Sequence, residues 1–360
     1  MKLGFFTMPM HPIGKDWQLS LREDREAFIL ADRLGFTEGY CGEHATDPEE
    51  NITSSAMFLA TLVDATERIR LGTGTTNMPN HHPAEVASTL AMLDHLLGAR
   101  FILGISPGAL PSDAEIYGNF DMARPAMFLE AINQVLKLWS SDPPYDIKGT
   151  FWNLTTARTY IPETGMGTIP KPLQRPHPPI VVTAVAPFSQ GITEAAARGW
   201  DPISANFLLP KWVATHWGKY AEGCERAGRK ADTANWRVAK TVFVAKDDAT
   251  AARYALGTDG PYYYYYRSLF SKLKRRGALG VFKSDPKMPD EQVTLEAVID
   301  RLVIHGSPSK VADGIAALKE ETGEFGTLLY AGVDWKDREL ARASMTLMAE
   351  KVLPMLGGPA

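Results

Sequence analysis

Residues 69–106 read IRLGTGTTNMPNHHPAEVASTLAMLDHLLGARFILGIS, and this stretch decides the architecture. IRLGTG at 69–74 is a short apolar run ending in small residues. PAEVASTLAMLDHLLG at 83–98 carries apolar residues at helical spacing behind a proline, and RFILGIS at 100–106 is a second apolar run. Strand, helix and strand so close together form a βαβ unit, which makes the two strands parallel.

The same alternation extends in both directions. LGFF (3–6) precedes REDREAFILADRLG (22–35), and a strand around Thr37–Cys41 precedes SAMFLATLVDATE (55–67). RFILGIS leads into RPAMFLEAINQVLKLWS (124–140). Past a proline-rich crossing at 160–180, IVVTAV (180–185) is followed by SQGITEAAARG (189–199). DPISANF (201–207), RVAKTVFVA (237–245) and TLLYAGV (327–333) complete the set, each with a helix-like partner. Eight strands alternating with eight helices predict an α/β fold closed as a (β/α)8 TIM barrel, with residues 1–360 as one domain. Residues 258–290, with PYYYYYR and SKLKRRG, break the repeat and are read as an insertion over the C-terminal face that acts as a lid. Its tyrosines, Tyr262 to Tyr266, suit a pocket wall or an ordinary half-buried helix, and KLKRR at 272–276 reads as a solvated face.

Composition removes several classes of function. Lys and Arg total 38 against 42 Asp and Glu, a net charge of -4, so no basic field gathers nucleic acid. The mean hydropathy of -0.16 and the absence of a long apolar run predict no membrane span. MKLGFFTMPMHPIG is read as a first strand and not a signal peptide, and the two distant cysteines, Cys41 and Cys224, fit a reducing, cytoplasmic setting. No metal-ligand spacing occurs, so no metal site is expected.

Barrels of this kind work at the C-terminal ends of their strands, and the candidate residues are read from there. Glu43 and His44 follow the second strand, and His44 is the candidate acid/base. Gly74 and Thr75 follow the third, where small residues let a flat ligand approach the backbone, while His81 and His82 serve the turn into the next helix. Ser106, with Pro107 and Gly108, ends the fourth strand, and Arg124 opens the following helix, where it can pair with an anion. Pro187, Ser189 and Gly191 precede a helix N-terminus, a natural phosphate cradle.

With GEHAT at 42–46, the 69–106 stretch, YAEGCERAGR at 220–229 and SPSKVADGIAALKEETGEFGTLLYAGVDW at 307–335 in view, the chain resembles the bacterial luciferase-like flavin monooxygenases. Within them it is most similar to the limonene and diketocamphane monooxygenase branch. The resemblance implies FMN at the barrel mouth, reduced by a separate flavin reductase and converted by dioxygen to a C4a-hydroperoxide. It implies a small apolar ketone, aldehyde or terpenoid-like substrate and a homodimer. It also makes His44 the active-site histidine, puts a non-proline cis peptide at Gly74–Thr75, and gives Arg124 and the 187–191 turn to the phosphate. Where a luciferase has cysteine then arginine, this chain has Ser106 and Pro107, and Ala45 stands where a second histidine follows the first. Both departures fit the terpenoid-oxidising branch better than light emission. A deazaflavin-dependent hydride-transferring oxidoreductase and a non-catalytic flavin-binding or storage protein are the competing expectations.

Overall fold

In the computed structural model, residues 1–7 and 10–358 are described. The eight barrel strands are β1 (Lys2–Thr7), β2 (Glu38–Cys41), β3 (Arg70–Thr73), β4 (Phe101–Ser106), β5 (Ile180–Ala184), β6 (Asp201–Ser204), β7 (Arg237–Val244) and β8 (Thr327–Gly332). They pair in chain order, all parallel, and β1 closes on β8 in register Lys2↔Thr327 to Thr7↔Gly332. The expected TIM barrel is the fold.

Each strand is buried on both faces, which is why the strands read as apolar runs without alternation. Phe6, Tyr40, Ile102, Val181 and Leu329 point into the barrel. Leu3 and Phe5 point outward, and the Phe5 ring meets Phe28 of α1 (Trp17–Arg33) edge to face at 5.0 Å. At the N-terminal end Arg237 of β7 donates to both oxygens of Glu38 on β2, at 2.6 and 3.1 Å, an ion pair that spans the interior. The outer layer is completed by α2 (Ser55–Ala60), α3 (Pro83–Leu96), α4 (Arg124–Ser140), α5 (Gln190–Ala197), α6 (Pro210–Arg226), α7 (Pro308–Thr322) and α8 (Arg338–Leu347). Among the described residues no helix is long and apolar enough to cross a membrane.

The excursion is wider than the expected 258–290. It fills the whole connection from β7 to α7, with helices at Asp248–Leu256, Pro261–Arg275 and Leu295–Leu302 and a short strand, Val303–Gly306, added to the end of β7. The sequence DDATAARYALG at 247–257 looks like the ordinary helical partner of β7, which disguised where the repeat breaks. Tyr262, Tyr265, Tyr266, Leu279 and Phe282 form a second apolar cluster, joined to the barrel through Phe243.

One local device shapes the mouth. The ladder between β3 and β4 stops after Gly72↔Ile102 and resumes at Thr76↔Ile105. Across the gap the Thr73 hydroxyl donates to the Gly104 carbonyl at 2.7 Å and accepts from the Gly104 N–H at 3.0 Å. A Cβ at Gly104 would collide with the Thr73 carbonyl oxygen, so strand β4 requires glycine there. Gly104→Ala is expected to destabilise the protein by about 1–3 kcal/mol through overpacking. A lower urea midpoint at unchanged slope would show it, and an unchanged midpoint would refute it.

Candidate active site

Glu43 lies at the end of β2 but turns back into the protein. One carboxylate oxygen accepts from the Ser55 N–H at 3.0 Å and the Ser55 hydroxyl at 2.7 Å, at the start of α2. The other accepts from the Asn77 N–H at 2.9 Å and lies 2.9 Å from His81 Nε2, while Asn77 Nδ2 donates to the Glu43 carbonyl at 3.0 Å. Burial alone would push this carboxyl up. The His81 hydrogen bond and charge, with those from Ser55 and Asn77, reverse that and hold it below the ordinary glutamate value. His81 is raised in return: burial lowers it, and Glu43 more than compensates. Only His82 serves the turn as expected, accepting from the Ala84 N–H at 3.3 Å; His81 belongs to Glu43.

His44, the next residue, faces the mouth with a largely buried ring. Its Nδ1 is 2.8 Å from Asp113 Oδ2 and its Nε2 is 3.4 Å from Glu50 Oε2. Asp113 sits on the short helix Pro111–Ile116, and its second oxygen accepts from the Ala45 N–H at 3.1 Å, the Thr46 N–H at 2.9 Å and the Thr46 hydroxyl at 2.6 Å. Asp113 therefore fixes both the ring and the 44–46 turn. Burial depresses the His44 pKa, but the Glu50 charge and the Asp113 hydrogen bond and charge outweigh it, and the net shift is upward. With Nδ1 committed to a carboxylate, Nε2 is the nitrogen free to exchange a proton.

The peptide between Gly74 and Thr75 is cis. The Thr75 hydroxyl donates to Ser106 Oγ at 2.6 Å, Ser106 Oγ donates to Asn77 Oδ1 at 3.0 Å, and the Gly108 N–H donates to Ser106 Oγ at 3.1 Å. Arg124 donates to the Pro107 carbonyl at 2.6 Å and to Asn119. Its guanidinium lies against Gly108, which has φ +73° and no room for a Cβ on that side. The fold thus gathers Gly74, Thr75, Ser106 and Arg124 at adjacent strand ends. Pro187 and Ser189 lie on the turn after β5 and Gly191 in the first turn of α5, and no hydrogen bond among the described residues joins them to that cluster. Ser189 occupies the N-cap position of α5, yet its side chain makes no capping bond. The turn is held from behind: buried His216 Nε2 donates to the Ala186 carbonyl at 2.9 Å while its Nδ1 lies 2.8 Å from Ser204 Oγ. Burial lowers the His216 pKa, with the Ala186 carbonyl opposing it, which favours the neutral ring.

The excursion reaches this site, and here the sequence reading is corrected. Lys272 is no solvated lysine: its ammonium lies 2.5 Å from Asp47, 3.2 Å from Glu49 and 3.4 Å from Glu50, on the loop that follows His44. Tyr264 donates to Glu49 at 2.6 Å, and Ser268 also bonds Glu49. Tyr266 and Asn206 both bond Thr241, at 2.8 and 3.1 Å, and the Tyr265 hydroxyl lies 3.0 Å from Asn206 Nδ2, so buried tyrosines do face the strand ends. Two surface concavities, about 710 Å³ beside Glu130 and Lys137 and about 310 Å³ between Arg22 and Arg342, hold none of these side chains. The convergence of strand-end groups defines the site better than surface volume does.

Sequence reasoning missed Asp113, Glu50, His81 and Lys272, and also His11. The His11 ring is buried between Asp334, 2.6 Å from Nδ1, and Asp24, 3.0 Å from Nε2. Only Asp113 left a signal, as the acidic residue of a Pro-Ser-Asp helix start just beyond β4.

The chain belongs to the luciferase-like monooxygenase family, whose model matches residues 1–324. It is 32% identical to 4-hydroxyprotoasukamycin monooxygenase of Streptomyces nodosus subsp. asukaensis, over 99% of this chain and 93% of that one. It is 28% identical to limonene 1,2-monooxygenase of Rhodococcus erythropolis, over 99% and 86% respectively. Among solved structures it resembles the oxygenating constituent of 3,6-diketocamphane monooxygenase from Pseudomonas putida, a type II Baeyer-Villiger enzyme in complex with FMN. That match has a TM-score of 0.87 at 26% identity, over 99% of this chain and 98% of that one.

The His11 clamp makes stability depend on pH. Burial lowers the imidazole pKa, but hydrogen bonds and charges from Asp24 and Asp334 prevail and raise it from 6.5 to about 9. The folded protein holds this proton where the unfolded chain has released it. The stabilisation is therefore complete below about pH 6.5 and is lost as pH rises through about 9. The decline in urea midpoint between those values should flatten in His11→Gln; an equally steep decline in the variant would refute the assignment.

Proposed function

We propose that this protein is the oxygenating component of a two-component, FMN-dependent monooxygenase that inserts one oxygen atom of dioxygen into a small apolar ketone, aldehyde or terpenoid-like compound. It works in the cytoplasm, as a homodimer, with reduced FMN delivered by a separate flavin reductase. The observation that carries this reading is His44, oriented through Nδ1 by Asp113 at the C-terminal mouth of the barrel, with Nε2 left to move a proton.

The residues present suit FMN. Thr76 Oγ1, just past the Gly74–Thr75 peptide, is buried with no partner. Arg124, Ser106 and the uncapped Ser189 with the α5 amides are donors of the kind that hold phosphate, and Gly74 and Thr75 are small enough to lie against a planar ring. Reduced FMN, when bound, supplies the electrons that activate dioxygen. The chain does the rest. His44 holds or releases a proton at Nε2, Asp113 keeps its ring in one orientation, and the helix Pro261–Arg275 covers the strand ends with Tyr265 and Tyr266 to exclude water.

Oxygen uptake with reduced FMN, with and without cyclic ketones and monoterpenes, tests the reading. Substrate-dependent product carrying label from dioxygen is expected, and His44→Ala should lower coupled product formation by about 10²–10⁴-fold. Undiminished coupling in that variant would refute the role of His44. Turnover with a reduced deazaflavin and no oxygen uptake would replace the reading with hydride transfer. Tight flavin binding without substrate-dependent uptake would replace it with a storage protein.

A further inference from the structure

The covering helix and the acid/base residue meet through Glu50. This carboxylate is buried, and its Oε2 has no hydrogen-bond partner while lying 3.4 Å from His44 Nε2. Its Oε1 lies 3.4 Å from the Lys272 ammonium, which is brought by the helix Pro261–Arg275 from more than two hundred residues away in sequence. The charged groups that face the pair come from three elements. The loop after β2 supplies Asp47, Glu49 and Glu50, the short helix supplies Asp113 with Arg124 behind it, and the excursion supplies Lys272 and the Tyr265 phenol. Lys272 is the one cation from the excursion in contact with this acidic loop among the described residues.

We propose that Lys272 decides whether the proton shared by His44 and Glu50 sits on His44 Nε2 or on Glu50 Oε2, so that the position of the covering helix sets the protonation state of the site. With Lys272 in place, Glu50 is held as a carboxylate and His44 as imidazolium, clamped between two anions. When the helix shifts far enough to withdraw the ammonium but not to admit water to Glu50, burial favours a neutral Glu50. The Nε2–H bond then breaks as the Oε2–H bond forms, which turns imidazolium and carboxylate into neutral imidazole and carboxylic acid without change in total charge. Burial already pushes the Glu50 pKa up, with His44 and Lys272 opposing it, as this exchange requires. Substrate entry and proton delivery are thereby linked: the proton returns to His44 only when the cover is closed. Glu50 and Lys272 act through His44 and are positioning residues.

The inference rests on His44 being the acid/base of the site, but its test needs no turnover. In protein labelled with 15N-histidine, the His44 Nε2 resonance reports where the proton is. At neutral pH it should lie in the protonated region in the wild type, move to the imine region in Lys272→Met, and return in Lys272→Arg. In Glu50→Gln the proton should leave His44 at lower pH than in the wild type. An Nε2 resonance unmoved by Lys272→Met overturns the proposal. If that variant fails to fold, an unchanged His44 titration in Glu50→Gln does so instead. Should His44→Ala keep full turnover while Lys272→Met still moves the resonance, the functional reading falls and the coupling stands.

Discussion

A carboxylate shut away from water must find hydrogen-bond donors inside the protein, and Glu43 shows how much structure that requirement can organise. Its two oxygens collect donors from the start of α2, from the segment after β3 and from His81, while its own carbonyl takes the Asn77 side chain. The ends of β2 and β3 and the start of α2 are thereby pinned to one buried charge. His44 is its neighbour in sequence, so the placement of the proton-handling ring follows from the fixing of Glu43. Asn77 carries the same order further, to Ser106 and through it to Thr75. Removing the carboxylate would leave several buried donors unmatched at once, which costs more than any single hydrogen bond contributes.

The two adjacent ionisable residues have opposite physical characters. Glu43 is saturated with donors and held as an anion over the ordinary pH range; it is structural. His44 lies between two carboxylates of unlike environment. Burial pushes the Asp113 carboxyl up, but the His44 hydrogen bond and charge, with the Thr46 hydroxyl and amide, outweigh it and lower its pKa. Glu50 has only Lys272 and the imidazole to offset its desolvation, so its pKa is raised. One side of the ring is locked and the other is adjustable, an asymmetry that a proton-transfer residue needs and a purely structural histidine does not. His11 gives the contrast: both its carboxylates are close, and it serves as a fixed cation between the β1 and β8 loops and α1.

The barrel was readable in the sequence because parallel strands buried on both faces leave unbroken apolar runs, and all eight fell at RFILGIS-like segments. His44, Thr75 and Ser106 were readable as strand-end residues for the same reason, and Arg124 as the first residue of the barrel helix that follows β4: once the strands are placed, the mouth follows. The partners of these residues were not. Asp113 reaches back across a turn, and Lys272 meets Glu50 across most of the chain, contacts that no local spacing encodes. The lysine within KLKRR looks like its neighbours Lys274 and Arg275, which are exposed; only the docking of the helix separates them. The boundary of the excursion was hidden because its first helix has the composition of an ordinary barrel helix.

The excursion has an apolar cluster of its own, in which Tyr262, Tyr266, Leu279, Phe282 and Leu302 meet one another, and it is joined to the barrel by side chains such as Phe243 and Met10 and by the short ladder of Val303–Gly306 on β7. The ladder that closes the barrel does not pass through it. A region with its own core, outside the ladder that closes the barrel, is expected to open at a lower free energy than the global one. Its amides are therefore expected to exchange hydrogen ahead of those of β1 and β8. A protein built this way gains an opening over its reactive centre by local unfolding, without loosening the strands that hold the chemistry in register.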